Sequence, residues 1–156
     1  MEGKLIQKIC LIFLLLFIVS CIPYTGRDST SQSLYESALE NYRRGDYKAS
    51  VLGYTEVIGL NPEDAGALYG RGAAYEMLNE YTKAIVDFDK AITLNPKLPL
   101  AYMHRAFCKL QLDDCSGAYK DISQASKVAS DATTLSWINS IRELITKKCK
   151  GIETVQ

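Results

Sequence analysis

Apolar residues in the middle of this chain recur three and four positions apart, not two, so the pattern predicts helices and no strands. Leu68, Tyr69, Gly72, Tyr75 and Leu78 form one stripe at helical spacing. The polar pair Asn79-Glu80 interrupts it, and Tyr81, Ala84, Ile85, Phe88, Ala91 and Ile92 form a second stripe. Leu94-Asn95-Pro96 then closes the unit, because proline lacks the amide that would continue the helix. Shifting this pattern back by one unit finds Leu34, Ala38, Ser50, Tyr54, Val57 and Pro62, with Gly45-Asp46 at the turn. Shifting it forward finds Tyr102, Ala106, Ala118, Ile122 and Ala125. A single further helix is expected over 134–148, with Trp137, Ile138, Ile141, Leu144 and Ile145 as its apolar side.

The spacing between equivalent positions is 34 residues: Asn61-Pro62 and Asn95-Pro96, Asp46-Tyr47 and Glu80-Tyr81, Tyr54 and Phe88. A helix pair of this length cannot bury its own apolar face, so copies stack and present a concave wall. That predicts a recognition scaffold without saying what it recognises.

In the second copy, Leu68, Gly72, Tyr75, Ala84, Phe88, Ala91 and Pro96 stand at the signature positions of the tetratricopeptide repeat, which the chain resembles closely. The small residues mark close helix crossings, and Tyr75 and Phe88 fill the remaining space. The resemblance implies an all-α fold, a right-handed superhelical stack of three helix pairs over 31–64, 65–98 and 99–132, plus a capping helix over 133–149 and a tail over 150–156. The first copy carries Asn41 where an aromatic residue is expected, with Tyr42 available instead. The third is degenerate, with Lys109 at the aromatic position and Ser130 at the closing proline.

The N-terminus reads as an address. Lys4 and Lys8 precede a nearly unbroken apolar run from Ile9 to Val19, too short for a stable span of about 20 residues. Ile18-Val19-Ser20-Cys21 resembles the bacterial lipobox. The resemblance implies a lipoprotein signal peptide over 1–20, lipid on the Cys21 sulfur and cleavage before it. Two or three acyl chains anchor a protein durably where one holds it only marginally. An ordinary signal peptide with a chance cysteine is the alternative. Glu2 stands where myristoylation requires glycine. Ile22, rather than aspartate, follows the cysteine, which by the same resemblance points to an outer membrane and a protein facing the periplasm. Residues 22–33 are polar and without apolar period, and are expected to be a tether with a reach of roughly 20 Å.

Composition removes several function classes. Without residues 1–20 the chain has sixteen basic and seventeen acidic residues, so it has no field for capturing nucleic acid. There is no H-E-x-x-H, G-x-S-x-G, Walker loop or C-x-x-C. The one histidine, His104, reads as a helix-surface residue. No enzyme activity, cofactor or metal is expected.

In the family that the chain resembles, the first helix of each repeat lines the concave face. Carried over by position, this gives Tyr35, Leu39, Tyr42 and Arg43, then Tyr69, Ala73, Glu76 and Met77, then Leu100, Met103, Phe107, Leu110 and Gln111. Such an apolar, aromatic wall implies a groove for an apolar or amphipathic segment of a protein or peptide partner in the cell envelope. The alternative is self-burial, with Leu100, Phe107 and Leu110 packing on the cap helix or on a second copy as a homodimer. The Lys, Asn and Arg clamp by which chaperone-binding members grip a terminal carboxylate is absent: Tyr35, Leu39, Gly70, Leu100 and His104 occupy those places. The same resemblance brings Arg71 towards Asp87 or Asp121, as a half-buried pair or as independent surface charges.

Three cysteines free of lipid remain after processing and lipidation: Cys108, Cys115 and Cys149. Cys115 should open the second helix of the third repeat and Cys149 should end the cap helix, so these ends can meet as a disulfide. The alternative is three free thiols. Cys108 is odd in either case and reads as a small core residue.

Overall fold

The computed structural model describes residues 28–149. The leader, Cys10, Cys21, residues 22–27 of the tether and the tail lie outside the described residues. Within them all regular structure is helical: α1 (Ser29–Arg43), α2 (Tyr47–Leu60), α3 (Ala65–Met77), α4 (Tyr81–Leu94), α5 (Pro99–Gln111), α6 (Cys115–Val128) and α7 (Ala132–Lys148). None of these helices is long and apolar enough to cross a membrane.

Most boundaries have a local cause. Asp28, Asp46, Asp64, Asp114 and Asp131 each cap a helix, their carboxylates accepting the backbone N–H three residues on at 2.6–3.0 Å. The cap at Asp28 starts α1 at Ser29, inside the stretch expected to be tether. The turn within each pair needs one left-handed residue, supplied by Gly45 (φ 83°), Asn79 (φ 59°) and Asp113 (φ 61°). These three lie at one repeat position and belong to the few residue types that tolerate this backbone. The second helix of the third repeat ends at Val128 without a proline, because Ala129 turns extended while its N–H still bonds Ala125.

Stacking follows from side-chain size. Helices α1/α2, α3/α4 and α5/α6 pair, and α2/α3 and α4/α5 join successive pairs. Tyr54, Phe88 and Ile122 stand at equivalent positions and are almost fully buried, with alanines at Ala38, Ala84, Ala91, Ala106, Ala118 and Ala125 accommodating them. At Gly72 an added methyl would sit 2.8 Å from the Phe88 ring, so this crossing admits no side chain.

Helix α7 caps the stack by resting on α5 and α6. Ile138 and Ile145 are fully buried there, with Ile141 packed beside them. Trp137 and Leu144 were expected on the same packed side and are not: they remain 52 % and 40 % exposed. The seam is one isoleucine wide, and each of the two is the residue just before one of its fully buried isoleucines, a turn of about 100° away from the core. Cys115 and Cys149 form a disulfide with their Cα atoms 6.0 Å apart, and Cys108 is a free, buried thiol. Lys148 fastens the same end, donating to the Leu110 carbonyl at 2.6 Å and pairing with Asp113 at 2.9 Å.

Candidate partner-binding groove

The first helices α1, α3 and α5 lie side by side. Between α1 and α3 they leave a cleft of about 210 Å³, lined by Tyr35, Leu39, Tyr42, Tyr54, Tyr69, Gly70 and Ala73. The floor exists because Gly70 has no side chain: a methyl there would collide with the Tyr54 ring, which reaches across from α2. Tyr35 meets Tyr54 edge-on at 5.3 Å between centroids, and Tyr42 meets Tyr47 likewise at 5.4 Å, so both wall tyrosines are held by a neighbouring ring.

The wall continues from Tyr69 to His104, whose rings meet edge-on at 5.7 Å, and His104 stacks over Phe88 at 5.9 Å. His104 Nδ1 lies 2.9 Å from Glu76 Oε2, and the Cys108 thiol donates to the same oxygen at 3.7 Å. The half-buried histidine is therefore tied into the groove wall. It looked isolated in sequence because its carboxylate lies 28 residues away on the adjacent first helix.

Burial, reinforced by Tyr42, Glu76 and Tyr35, pushes the Tyr69 phenol above the usual tyrosine range. Burial, then Glu76 and Tyr47, raises Tyr42 in the same sense. Both phenols stay protonated and can donate hydrogen bonds. Burial first, then the Glu76 charge, pushes the Cys108 thiol up, so it is not the thiolate that nucleophilic chemistry needs. Among the described residues no three His, Cys, Asp or Glu side chains converge to hold a metal. The arrangement is suited to binding.

The structure divides the expected wall. Tyr35, Leu39, Tyr42, Tyr69 and Ala73 line the cleft, Glu76 lies just beyond Ala73, and Met77 is exposed at the end of α3. The third-repeat residues depart from the open-wall reading, and Leu100 and Leu110 follow its alternative of packing on the cap helix. Leu110 is fully buried and Met103 nearly so, both in one cluster with Ile138 and Ile145 of α7, and Leu100 packs against that cluster. The cap helix supplies the physical reason: it folds onto α5 and covers this stretch, so Met103 and Leu110 are core and not wall. Leu100 also lines a second cleft of about 160 Å³ with Tyr69, Leu98, Pro99, Ala101 and Thr134. Phe107 faces Tyr81, their centroids 6.4 Å apart. Tyr54, Gly70 and His104 are the groove residues absent from the expected wall. The aromatic period had marked Tyr54 only as core.

Comparison with known proteins agrees with this geometry. The family model described as tetratricopeptide repeat matches residues 65–98. Rat mitochondrial import receptor subunit TOM70 is 29% identical over 115 residues, covering 64% of this chain and 19% of its own length. Hsc70-interacting protein 1 of Drosophila melanogaster is 29% identical over 123 residues, covering 79% of this chain and 32% of its own. The chain thus spans a third or less of these two relatives. Among solved structures, the TPR2B domain of yeast Sti1 in its pHsp70 complex superposes with a TM-score of 0.71 at 25% identity, over 79% of this chain and 98% of that one. The Yersinia enterocolitica type III secretion chaperone SycD, in complex with a peptide of the translocator YopD, gives 0.72 at 22% identity over 79% and 97%, a likeness of fold alone. The chain thus carries a tetratricopeptide repeat over residues 65–98, the second of its three stacked helix pairs.

Proposed function

We propose that this protein is a membrane-anchored scaffold of the bacterial cell envelope that docks a segment of a protein partner in the groove between α1 and α3. The open cleft walled by Tyr35, Tyr42 and Tyr69 carries the reading, because rigid aromatic rings around a preformed hollow hold an apolar anchor at little entropic cost. The peptide-bound and partner-bound solved relatives support it. The Ile18-Val19-Ser20-Cys21 segment supports the anchor, with lipid on Cys21 fixing the complex at the outer membrane on the periplasmic side. The clamp for acidic tails is replaced by Tyr35, Leu39, Gly70, Leu100 and His104, so the partner differs in chemistry from cytosolic chaperone tails.

Affinity capture from membranes tests the groove. Wild-type protein should recover partners that Tyr69→Glu loses; recovery of the same proteins by both removes the concave wall as the recognition surface. Metabolic labelling with palmitate tests the anchor, with label expected in the wild type and absent in Cys21→Ser. A second reading, pairing of two copies through apolar faces, is favoured by exposed Trp137 and Leu144 on the cap. A dimer that persists on dilution and dissociates in Trp137→Asp supports it.

A further inference from the structure

Glu76 is out of place in an apolar wall. Its side chain is only 12% exposed, and its two protein donors, His104 Nδ1 and the Cys108 thiol, both converge on Oε2. Neither reaches Oε1. This partly buried carboxylate is held by an imidazole and a weak thiol donor, without the full cation that such charges are ordinarily paired with.

Apart from Arg43, the cations nearby are engaged elsewhere. Arg71 is committed to Asp87, Arg105 to Asp121 and Asp89, and Lys109 to Asp121, each on the side facing the second helices. Arg44, just past the end of α1, pairs with Glu40, and Arg43 is exposed at the helix end. The seven residues lining the cleft include no charge of either sign. Glu76 therefore sets the sign of the potential there, and its charge is felt by Tyr42 and Tyr69, helping to keep those two phenols protonated. Aromatic faces attract cations through their quadrupoles, and a carboxylate beside them adds to the attraction.

We infer that the groove selects a partner segment by one basic side chain, a lysine or arginine that enters between Tyr42 and Tyr69 and meets the Glu76 carboxylate. This rests on the docking of a peptide segment proposed above and specifies its chemistry. The stem of a lysine or arginine packs along the apolar wall while its head reaches the carboxylate, so one residue satisfies both halves of the site. Arginine makes the better match, because its planar head stacks on tyrosine and offers several donors to one carboxylate.

The test is selection of a random linear peptide library displayed on phage against the full chain in detergent, in parallel with Glu76→Gln. Glutamine keeps an acceptor for His104 while removing the charge, and circular dichroism establishes that the variant is folded. The wild type should enrich peptides with Lys or Arg at one fixed position among apolar residues. Glu76→Gln should still enrich apolar peptides without that preference, and should bind a wild-type-selected peptide about tenfold more weakly. Replacing its basic residue by norleucine should cause a similar loss in the wild type and none in the variant. Apolar peptides that lose binding with Tyr69→Glu but show no basic preference overturn the inference and leave the groove reading standing. Failure to select any peptide sensitive to Tyr69→Glu overturns both.

Discussion

Arg71 grips Asp87 with two parallel bonds, Nε to Oδ2 and Nη2 to Oδ1, each 2.7 Å long. The arginine lies on the first helix of the second repeat and the aspartate on its second. Nη1 reaches back to Thr55 in the previous repeat at 3.2 Å. One period later Arg105 repeats the arrangement with Asp121 and extends Nη1 to Asp89 at 2.6 Å. The pair thus ties the helices within a repeat, and its third nitrogen ties neighbouring repeats. Asp87 is 3% exposed, so removing the arginine strands a buried carboxylate. Arg71→Ala should cost about 3–5 kcal/mol in urea unfolding. Arg71→Met with Asp87→Leu should recover most of that loss. A loss of only a few tenths of a kcal/mol from Arg71→Ala would reduce the pair to a surface contact.

The disulfide and Lys148 hold the open end of the stack. Cys115 and Cys149 are 34 residues apart, for which chain entropy predicts a contribution of about 3–4 kcal/mol, with less the common outcome. The effect should be local. Under reductant, or in Cys149→Ser, amide exchange should accelerate in α7 and the facing part of α5. Exchange in α1 and α2, which do not touch the cap, should stay as in the oxidised protein. Equal acceleration throughout would mean that the stack unfolds as one unit and the bridge has no local role.

The cap helix makes a sharp contrast between neighbours in sequence. Ile138 is fully buried between α5 and α6, whereas Trp137 is 52% exposed. Ile138→Ala should cost about 2–5 kcal/mol by opening a cavity, and Trp137→Ala should stay within about 0.5 kcal/mol. Trp137 is also the one tryptophan. Its emission should therefore report water, and unfolding should red-shift it little. A blue-shifted native spectrum would place this face against another surface.

How much of this was legible depended on whether the information was periodic. The repeat, the helix pairs and the small residues at Gly72, Ala84 and Ala91 follow from a pattern that recurs with each copy. The start of α1 was missed because the polar run Asp28-Ser29-Thr30-Ser31 suits both a tether and a capped helix, and only the Asp28 bond to the Ser31 amide separates them. The burial of Met103 was missed, and that of Leu110 stood only as an alternative, because both depend on the angle at which α7 folds back, and a cap has no next copy to fix its register. The Glu76–His104 contact joins unlike repeat positions on adjacent helices, so no shift by one period reveals it. The groove's chemistry resides in what differs between repeats.

Tyr69 offers a last test, at alkaline pH. Its phenol is held above the ordinary value of 10.0, first by burial and then by the field of Tyr42, Glu76 and Tyr35. In the unfolded chain the same phenol ionises near 10, where its environment is water. The folded state therefore retains a proton that the unfolded state gives up. Its contribution to stability is complete below pH 10 and is lost as pH rises from there towards the folded value, because the unfolded state binds fewer protons in that window. Tyr69→Phe should flatten this part of the profile, measured by urea unfolding between pH 9 and pH 11 (about one unit either side of the unfolded value). In ultraviolet titration of the folded protein, the wild type and Tyr69→Phe should give the same absorbance change across that range, since Tyr69 is silent there. An additional tyrosine titrating near pH 10 in the wild type alone would mean that its ring is solvated and the groove is wetter than its walls imply.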